Sequence, residues 1–437
     1  MIMKVYMQFL VSKMNYDNIF LDTAEKIGIH LCKTAFWHEK RCNWIGKAIQ
    51  EIAPMVHSIY LKSLGCNVYD GTAGIAFFLS TLYRYTKNDD YRETTEGAII
   101  HALSKVNELS STSRFSVFTG KLGIAYVCTQ IGNNLDRNIF IEKALDILRE
   151  LQDNFEKEHL MDFISGNASG IPALLNLYDF YKDEKILNLS VLLGDELIET
   201  ATKDSYGWSW DYRANGVKLC SHNLAGFSHG AAGIGYSLLE LFNITKDTKY
   251  LEAVNNAFSY ENHWFSEQNN NWPDFRSDGQ GAANKSELSY AVAWCHGAPG
   301  IGLSRIRAYD LIKDTKYLVD SQAALKTSVM NLEQILNSNS NPNFIDFSLC
   351  HGLSGISETL LYADSIFKDG AYKSVAEKVG LYGIEKYVSK GLPWPCGIRK
   401  GGETPSLMLG LAGIGYFYLQ LNGSLKISNP LMVLETS

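Results

Sequence analysis

The sequence predicts an all-α protein built by repetition, and two observations carry that expectation. A Gly-x-x-Gly-Ile unit followed by an apolar stretch occurs seven times. Amphipathic stretches at helical spacing lie between the copies, and the apolar–polar alternation that marks strands is scarce. The copies read GTAGIAFFLSTLY from Gly71, GKLGIAYVCTQI from Gly120, GNASGIPALLNLY from Gly166 (one residue longer between its glycines) and GAAGIGYSLLELF from Gly230. They continue as GAPGIGLSRIRAY from Gly297, GLSGISETLLYA from Gly352 and GLAGIGYFYLQL from Gly410. One such unit is weak evidence, but seven in register at intervals of about fifty to seventy residues mark a repeat architecture.

Taken in chain order, residues 1–45 precede the first repeat and read as added outer helices, and the repeats run from about residue 66 to 421. The segment after each glycine pair is apolar on nearly all faces, as a buried helix is. Between these lie amphipathic stretches such as 138–158 and 314–336; in the latter Leu318, Ala323, Leu325, Val329 and Leu332 fall near helical spacing. The turns repeat as well: KDTKYL from Lys246, KDTKYL from Lys313 and KDGAYK from Lys368, whose aspartates suit the N-cap of the helix that follows. Each unit is thus an apolar helix followed by an amphipathic one. Periodicity alone allows an open solenoid or a closed α/α toroid; glycines always at the start of the apolar helix favour the ring, because the loops there would converge at one end. The reading is one domain over residues 1–437. Two connections, 203–228 and 262–291, are long and rich in Gly, Asn, Asp and Trp, and such loops in compact domains tend to be functional.

Composition excludes several classes. The chain carries 40 basic and 47 acidic residues for a formal charge of −7, without the basic stripe of a nucleic-acid binder. No apolar run reaches the roughly 18 residues of a membrane span, and the first residues lack a clean secretory pattern. A cytoplasmic protein is expected. The eight cysteines, at 32, 42, 66, 128, 220, 295, 350 and 396, are too sparse for a disulfide scaffold. Most read as small buried hydrophobes.

Two of them do not. The fifth repeat begins Trp294-Cys295-His296-Gly297 and the sixth Leu349-Cys350-His351-Gly352, while the fourth begins Phe227-Ser228-His229-Gly230 and the third carries Asp162 four residues before its glycine. In a closed ring these positions converge on the central opening, where thiols and imidazoles would meet. Sulfur and nitrogen donors of this kind suit zinc, and three protein ligands leave the fourth position open, as catalytic sites do. The bland reading is that the cysteines are buried and never meet, with Asp162 an N-cap and His229 a satisfied core histidine. Repeat register weighs against it.

The segments AWCHGAPGIG, SLCHGLSGI and GFSHGAAGIG resemble the zinc-site motifs of the lanthionine synthetase C-like cyclases. CNWIGKA near the start and ETPSLMLGLAGIGY near the end are similar to the cyclase half of class II, bifunctional lanthipeptide synthetases, and the resemblance runs from near residue 20 to about 421. It implies an α/α toroid of seven inner and seven outer helices. It also implies one zinc held by Cys295, Cys350 and His351, with His229 as acid or base and Asp162 supporting it. His296 stands where some relatives have tyrosine, which makes it a second candidate proton donor. The arginine that class I members carry shortly before the first cysteine has no counterpart in SELSYAVAW. The implied reaction adds peptide cysteine thiols to dehydroalanine or dehydrobutyrine, forming (methyl)lanthionine rings. The partner it implies is a precursor peptide containing cysteine and dehydrated Ser/Thr; bifunctional relatives carry a dehydratase upstream, and a stand-alone cyclase would work with a separate dehydratase. Addition of another thiol, such as glutathione, to a different electrophile and a non-enzymatic peptide-binding scaffold are the alternatives.

Overall fold

The computed structural model describes residues 16–434 apart from 54–55, 158, 215–216, 219, 221, 278–287, 339–344, 399–400 and 424. Seven helices among the described residues form an inner ring: α2 (Thr72–Thr86), α4 (Lys121–Leu135), α6 (Asn167–Tyr181), α8 (Ala231–Thr245), α10 (Ala298–Ile312), α12 (Leu353–Phe367) and α14 (Leu411–Leu421). Each packs on the next, and α14 packs back on α2, so the array closes. The outer layer consists of α1 (Tyr16–Thr34), α3 (Asp89–Lys105), α5 (Asn138–Asp153), α7 (Glu184–Thr200), α9 (Thr248–Trp264), α11 (Thr315–Asn337) and α13 (Ala371–Gly383). Every inner helix pairs with the outer helix that follows it, except that α14 pairs with α1 from the other end of the chain.

The repeat unit explains how the inner helices sit. Its second glycine lies under the carbonyl of the preceding turn. A β-carbon on Gly300 would stand 2.0 Å from the Trp294 oxygen, and one on Gly355 1.9 Å from the Leu349 oxygen. Such contacts exclude any side chain. The isoleucine that follows is the first core anchor of each helix, Ile75, Ile124, Ile301 and Ile356 all being buried. At the other end, five inner helices stop on a lysine in the left-handed region, Lys87, Lys182, Lys246, Lys313 and Lys368, with φ between 55° and 63°. The aspartate N-caps form as expected in two turns: Asp247 accepts from Lys249 N at 3.1 Å and Asp314 from Lys316 N at 3.0 Å. In the third turn Gly370, not Asp369, is the N-cap.

Strands account for the main departure from the expected layout. Of the stretch expected to be outer helices, residues 1–15 lie outside the described residues, α1 is helical, and the chain then turns into a hairpin of β1 (Phe36–His38) and β2 (Arg41–Asn43). Glu39 closes that hairpin at φ 56°. A longer hairpin, β3 (Ile45–Ala53) with β4 (Val56–Ser63), leads to the first repeat. The loop expected at 203–228 begins with a third, β5 (Thr202–Asp204) with β6 (Gly207–Ser209). The three-residue strands are too short to impose a period on the sequence, and β3 and β4 pair only with each other. No helix among the described residues is long and apolar enough to cross a membrane.

Candidate active site

Hydrogen bonds between the turns tie the starts of the inner helices together. Ser228 N donates to Cys295 O (3.1 Å), Cys295 N to Cys350 O (3.2 Å), Cys350 N to Met408 O (3.0 Å), Met408 N to Tyr69 O (3.0 Å) and Tyr69 N to Phe118 O (2.9 Å). Each of these residues lies two places before the first glycine of its repeat. Equivalent positions on neighbouring turns are thereby stitched edge to edge around one rim of the ring. That stitching brings together Cys295 and Cys350, which are 55 residues apart in the chain.

Their two buried thiols share a hydrogen bond. Cys350 as donor brings the Cys295 thiol down to about 7; burial opposes this, and the nearby His351, Arg276 and His229 charges add to it. Cys350 itself is pushed well up by that same bond and by burial. Tyr69 donates its hydroxyl to Cys350 Sγ at 3.1 Å. His351 follows on the same turn, with its side chain 37% exposed and Nδ1 bonded to Asp346. Burial disfavours charge on this imidazole, but the Asp346 bond and carboxylate outweigh it and raise the pKa. Gly397 leaves room for the ring, since a β-carbon there would stand 3.1 Å from His351 Nε2. Among the described residues no three His, Cys, Asp or Glu groups are gathered as a metal cage. The donor set nonetheless fits zinc in kind: two thiols in contact, one of them ionising near neutrality, and an imidazole steadied through its other nitrogen by a carboxylate.

His229 stands on the neighbouring turn with Nδ1 3.3 Å from Asp162 Oδ1, though not aligned as a hydrogen bond. The same Asp162 oxygen accepts from Ser165 N at 2.6 Å, so the carboxylate is fixed at the head of α6 while it faces the histidine. The Tyr212 ring centroid is 4.6 Å from that of His229, and the His296 centroid lies 5.9 Å away. His296 differs from His229 in exposure: it is fully buried, and burial followed by the Arg276 charge lowers its pKa to about 3. It is a neutral imidazole, with Ser228 Oγ 3.4 Å from Nε2 and Asp274 Oδ1 4.0 Å from Nδ1.

Four residues here escaped the sequence reading. Tyr69 occupies the same place before its glycine as Cys295 and Cys350, a signal that aligning all seven turns would have shown. Asp346 lies six residues before Gly352, a weaker cue of the same kind. Asp274 and Arg276 come from the long loop, where no periodicity marks them. Arg276 clamps Asp274 through Nε (3.0 Å) and Nη2 (2.7 Å), and its charge acts on Cys295. Three tryptophans of the two long connections divide: Trp210 and Trp272 are buried in the core, while Trp208 is half-buried beneath Lys203. Cys396, whose thiol burial pushes up to about 12, faces the Thr404 carbonyl.

Burial alone would raise the Asp274 carboxyl, but the Arg276 hydrogen bonds and the His296 and Arg276 charges bring it down to about 2 from an ordinary 3.8. The unfolded chain therefore takes up this proton first as pH falls. Asp274 contributes stability in full above pH 3.8, and that contribution is lost towards pH 2. Asp274→Asn should flatten the acid limb of melting temperature against pH in that window; an unchanged slope would refute the assignment.

The lanthionine synthetase C-like protein family model matches residues 62–434. The chain belongs to this family. Among curated relatives it is similar to the lacticin 481/lactococcin biosynthesis protein LcnDR2 of Lactococcus lactis subsp. lactis, 24% identical over 391 residues, covering 86% of this chain and 37% of that protein. It is also similar to the nisin biosynthesis protein NisC of the same organism, 22% identical over 313 residues, covering 66% of this chain and 71% of NisC. The chain therefore spans little more than a third of the length of LcnDR2. Among solved structures, nisin cyclase superposes with a TM-score of 0.59 at 17% identity, covering 82% of this chain and 88% of that one. That likeness supports the lanthionine synthetase C-like toroid as the fold.

Proposed function

We propose that this lanthionine synthetase C-like protein is a zinc-dependent lanthipeptide cyclase. In this reading it adds peptide cysteine thiols to dehydroalanine or dehydrobutyrine in the same chain. The observation that carries the reading is the pairing of the Cys295 and Cys350 thiols by adjacent turns of the ring, with His351 next to them. A zinc ion held by Cys295, Cys350 and His351 would supply a substrate thiol that is ionised at neutral pH.

The chain's own groups account for the rest of the addition. The sulfur bonds to the β-carbon, the alkene electron pair moves towards the α-carbon and its carbonyl, and a proton must then reach the α-carbon. His229 is the proposed donor, since it borders the rim and has Asp162 beside it to orient the ring. The thiol's own proton replaces the one that His229 gives up, through solvent. His296, buried and neutral, is better suited to positioning the turn than to supplying a proton. Arg276 and Tyr69 contribute positive charge and a hydroxyl donor beside the thiols. Because the substrate must arrive dehydrated, a precursor peptide and a separate dehydratase are the proposed partners. Eight cysteines, all free, fit a reducing compartment, in line with a cytoplasmic location.

Ring closure leaves peptide mass unchanged but consumes a thiol. The test is to incubate the zinc-loaded protein with a synthetic dehydrated peptide and count thiols by alkylation and mass spectrometry. Loss of alkylation in step with enzyme concentration supports the reading. Unchanged thiols, with glutathione adducts formed instead when glutathione is present, would replace it with addition of an external thiol. In the same assay His229→Ala should retain zinc and slow closure by roughly 10²–10⁴-fold. Loss of zinc from that variant would make His229 a ligand.

A further inference from the structure

Residues 427–434 fold back against the inner helices, where Pro430 and Val433 pack beside Phe77 and Tyr126. Tyr236 Oη donates to Met432 O (2.9 Å), Gln420 Nε2 to Ser428 O (2.8 Å) and Asn176 Nδ2 to Val433 O (2.7 Å). Leu431, Met432 and Val433 are buried, and Val433 is held at φ 53°, a costly conformation for a β-branched residue. Beside this segment, against α12 and α14, lies a cavity of about 260 Å³ whose lining includes Glu358, Tyr362, Gln420, Asn429 and Lys373. Its lining on α12 runs from Glu358 to Ser365, past the first turn of the helix, and includes none of Cys295, Cys350 and His351, so the cavity is separate from the thiol rim.

Glu358 is the unusual member. It is 1% exposed, and its Oε1 has no hydrogen-bond partner among the described residues; the hydroxyl of Tyr362, one turn further along α12, faces the Arg307 guanidinium without an aligned hydrogen bond. The other deeply buried glutamates are matched. Glu261 meets Arg305 at 2.9 Å, Glu240 meets Arg307 at 2.6 Å, and Glu196 meets His159 at 2.9 Å. Burial pushes the Glu358 carboxyl well above the usual range. An unpartnered carboxyl inside a protein costs more than an apolar or amide side chain of its size, and native structures rarely strand such groups without a role.

We infer that the Glu358 cavity is a binding site for a protonated primary amine. An ammonium group brings three N–H donors. The cavity offers the Glu358 carboxyl, which an arriving ammonium would hold ionised, the Tyr362 oxygen, and the carbonyl oxygen of Gln420, whose N–H is already used on Ser428; Asp364 adds a second carboxylate to the lining. Lys373, itself 3.7 Å from Glu377 and partly exposed, lies among the lining groups near Gly423. The amine could be that of a free alkylamine or of a lysine side chain on a bound peptide. This site does not depend on the thioether chemistry proposed for the thiol rim.

Saturation-transfer NMR on the full chain with n-butylammonium, with uncharged n-butanol as control, tests it. The wild type should bind the amine and not the alcohol. Glu358→Gln should be at least as heat-stable as the wild type, yet bind at least roughly tenfold more weakly, the factor expected for one charge-assisted hydrogen bond. If that variant fails to fold, Tyr362→Phe serves, with binding weakened roughly fivefold. Displacement of n-butylammonium by a blocked Ala-Lys-Ala peptide would identify peptide lysine as the source; lack of displacement would identify a free amine. No amine binding by the wild type, or equal binding by the wild type and the variants, would overturn the inference.

Discussion

Cys350→Ala should abolish zinc binding and ring closure together. The wild type is expected to carry about one zinc per chain and the variant none. Closure of a dehydrated peptide should slow by roughly a thousandfold, or about 4 kcal/mol of barrier. The reasoning starts from the rim. Cys350 donates to Cys295, and that bond is the largest influence holding the Cys295 thiol near neutrality. Removing Cys350 therefore deletes one soft donor and leaves the remaining thiol harder to ionise, so both cysteines lose their part in the site. The Tyr69 hydroxyl would also lose its acceptor. Tyr69→Phe separates the two effects: it keeps both thiols, so it should retain zinc while weakening affinity or rate by about 10–100-fold, as loss of an outer-shell contact does. Stoichiometric zinc in Cys350→Ala, measured by elemental analysis, would remove Cys350 from the proposed ligand set.

The ring was legible because one repeat carries both its structural and its chemical signals. The second glycine of each unit packs on a carbonyl, the isoleucine after it anchors the core, and the residue two places before the first glycine enters the stitched rim. Cys295 and Cys350 could thus be placed together without knowing any distance. The hairpins at residues 36–63 were not legible: strands of three residues, or a ribbon paired only with itself, leave no period for a sequence to display. Asp274 and Arg276 were missed for a related reason, since they reach the site from a connection whose course only tertiary packing decides. His229 and His296 look equivalent in the repeat, but partners outside it separate them. Asp162 faces one, whereas Gly226 and Asp274 enclose the other.

Stability and site geometry meet at Glu261, where the second large effect is expected. Arg305 on α10 is fully buried; its Nη2 lies 2.9 Å from Glu261 Oε2 on α9, its Nη1 donates to Ser304 Oγ, and its guanidinium carbon stands 3.6 Å above the Phe258 ring. The other Glu261 oxygen accepts from Gly226 N at 2.9 Å. Gly226, at φ 103°, would bring a β-carbon to 3.0 Å from the Cys295 carbonyl and 3.2 Å from His296 Cα. An outer-layer carboxylate thus steadies the turn that backs the thiol rim. Glu261→Ala leaves a guanidinium without its nearest counter-charge inside the protein, and should cost about 3–5 kcal/mol of stability, read from denaturant midpoints at constant slope. Adding Arg305→Met removes the stranded charge and should recover most of that loss. It does not restore an acceptor for Gly226 N, so ring closure in the double variant should stay depressed even though the fold is regained. A double variant that recovers both stability and activity would show that the pair serves the fold alone, and a Glu261→Ala cost below about 1 kcal/mol would show that Asp320, 3.4 Å from Arg305 Nε, already balances the charge.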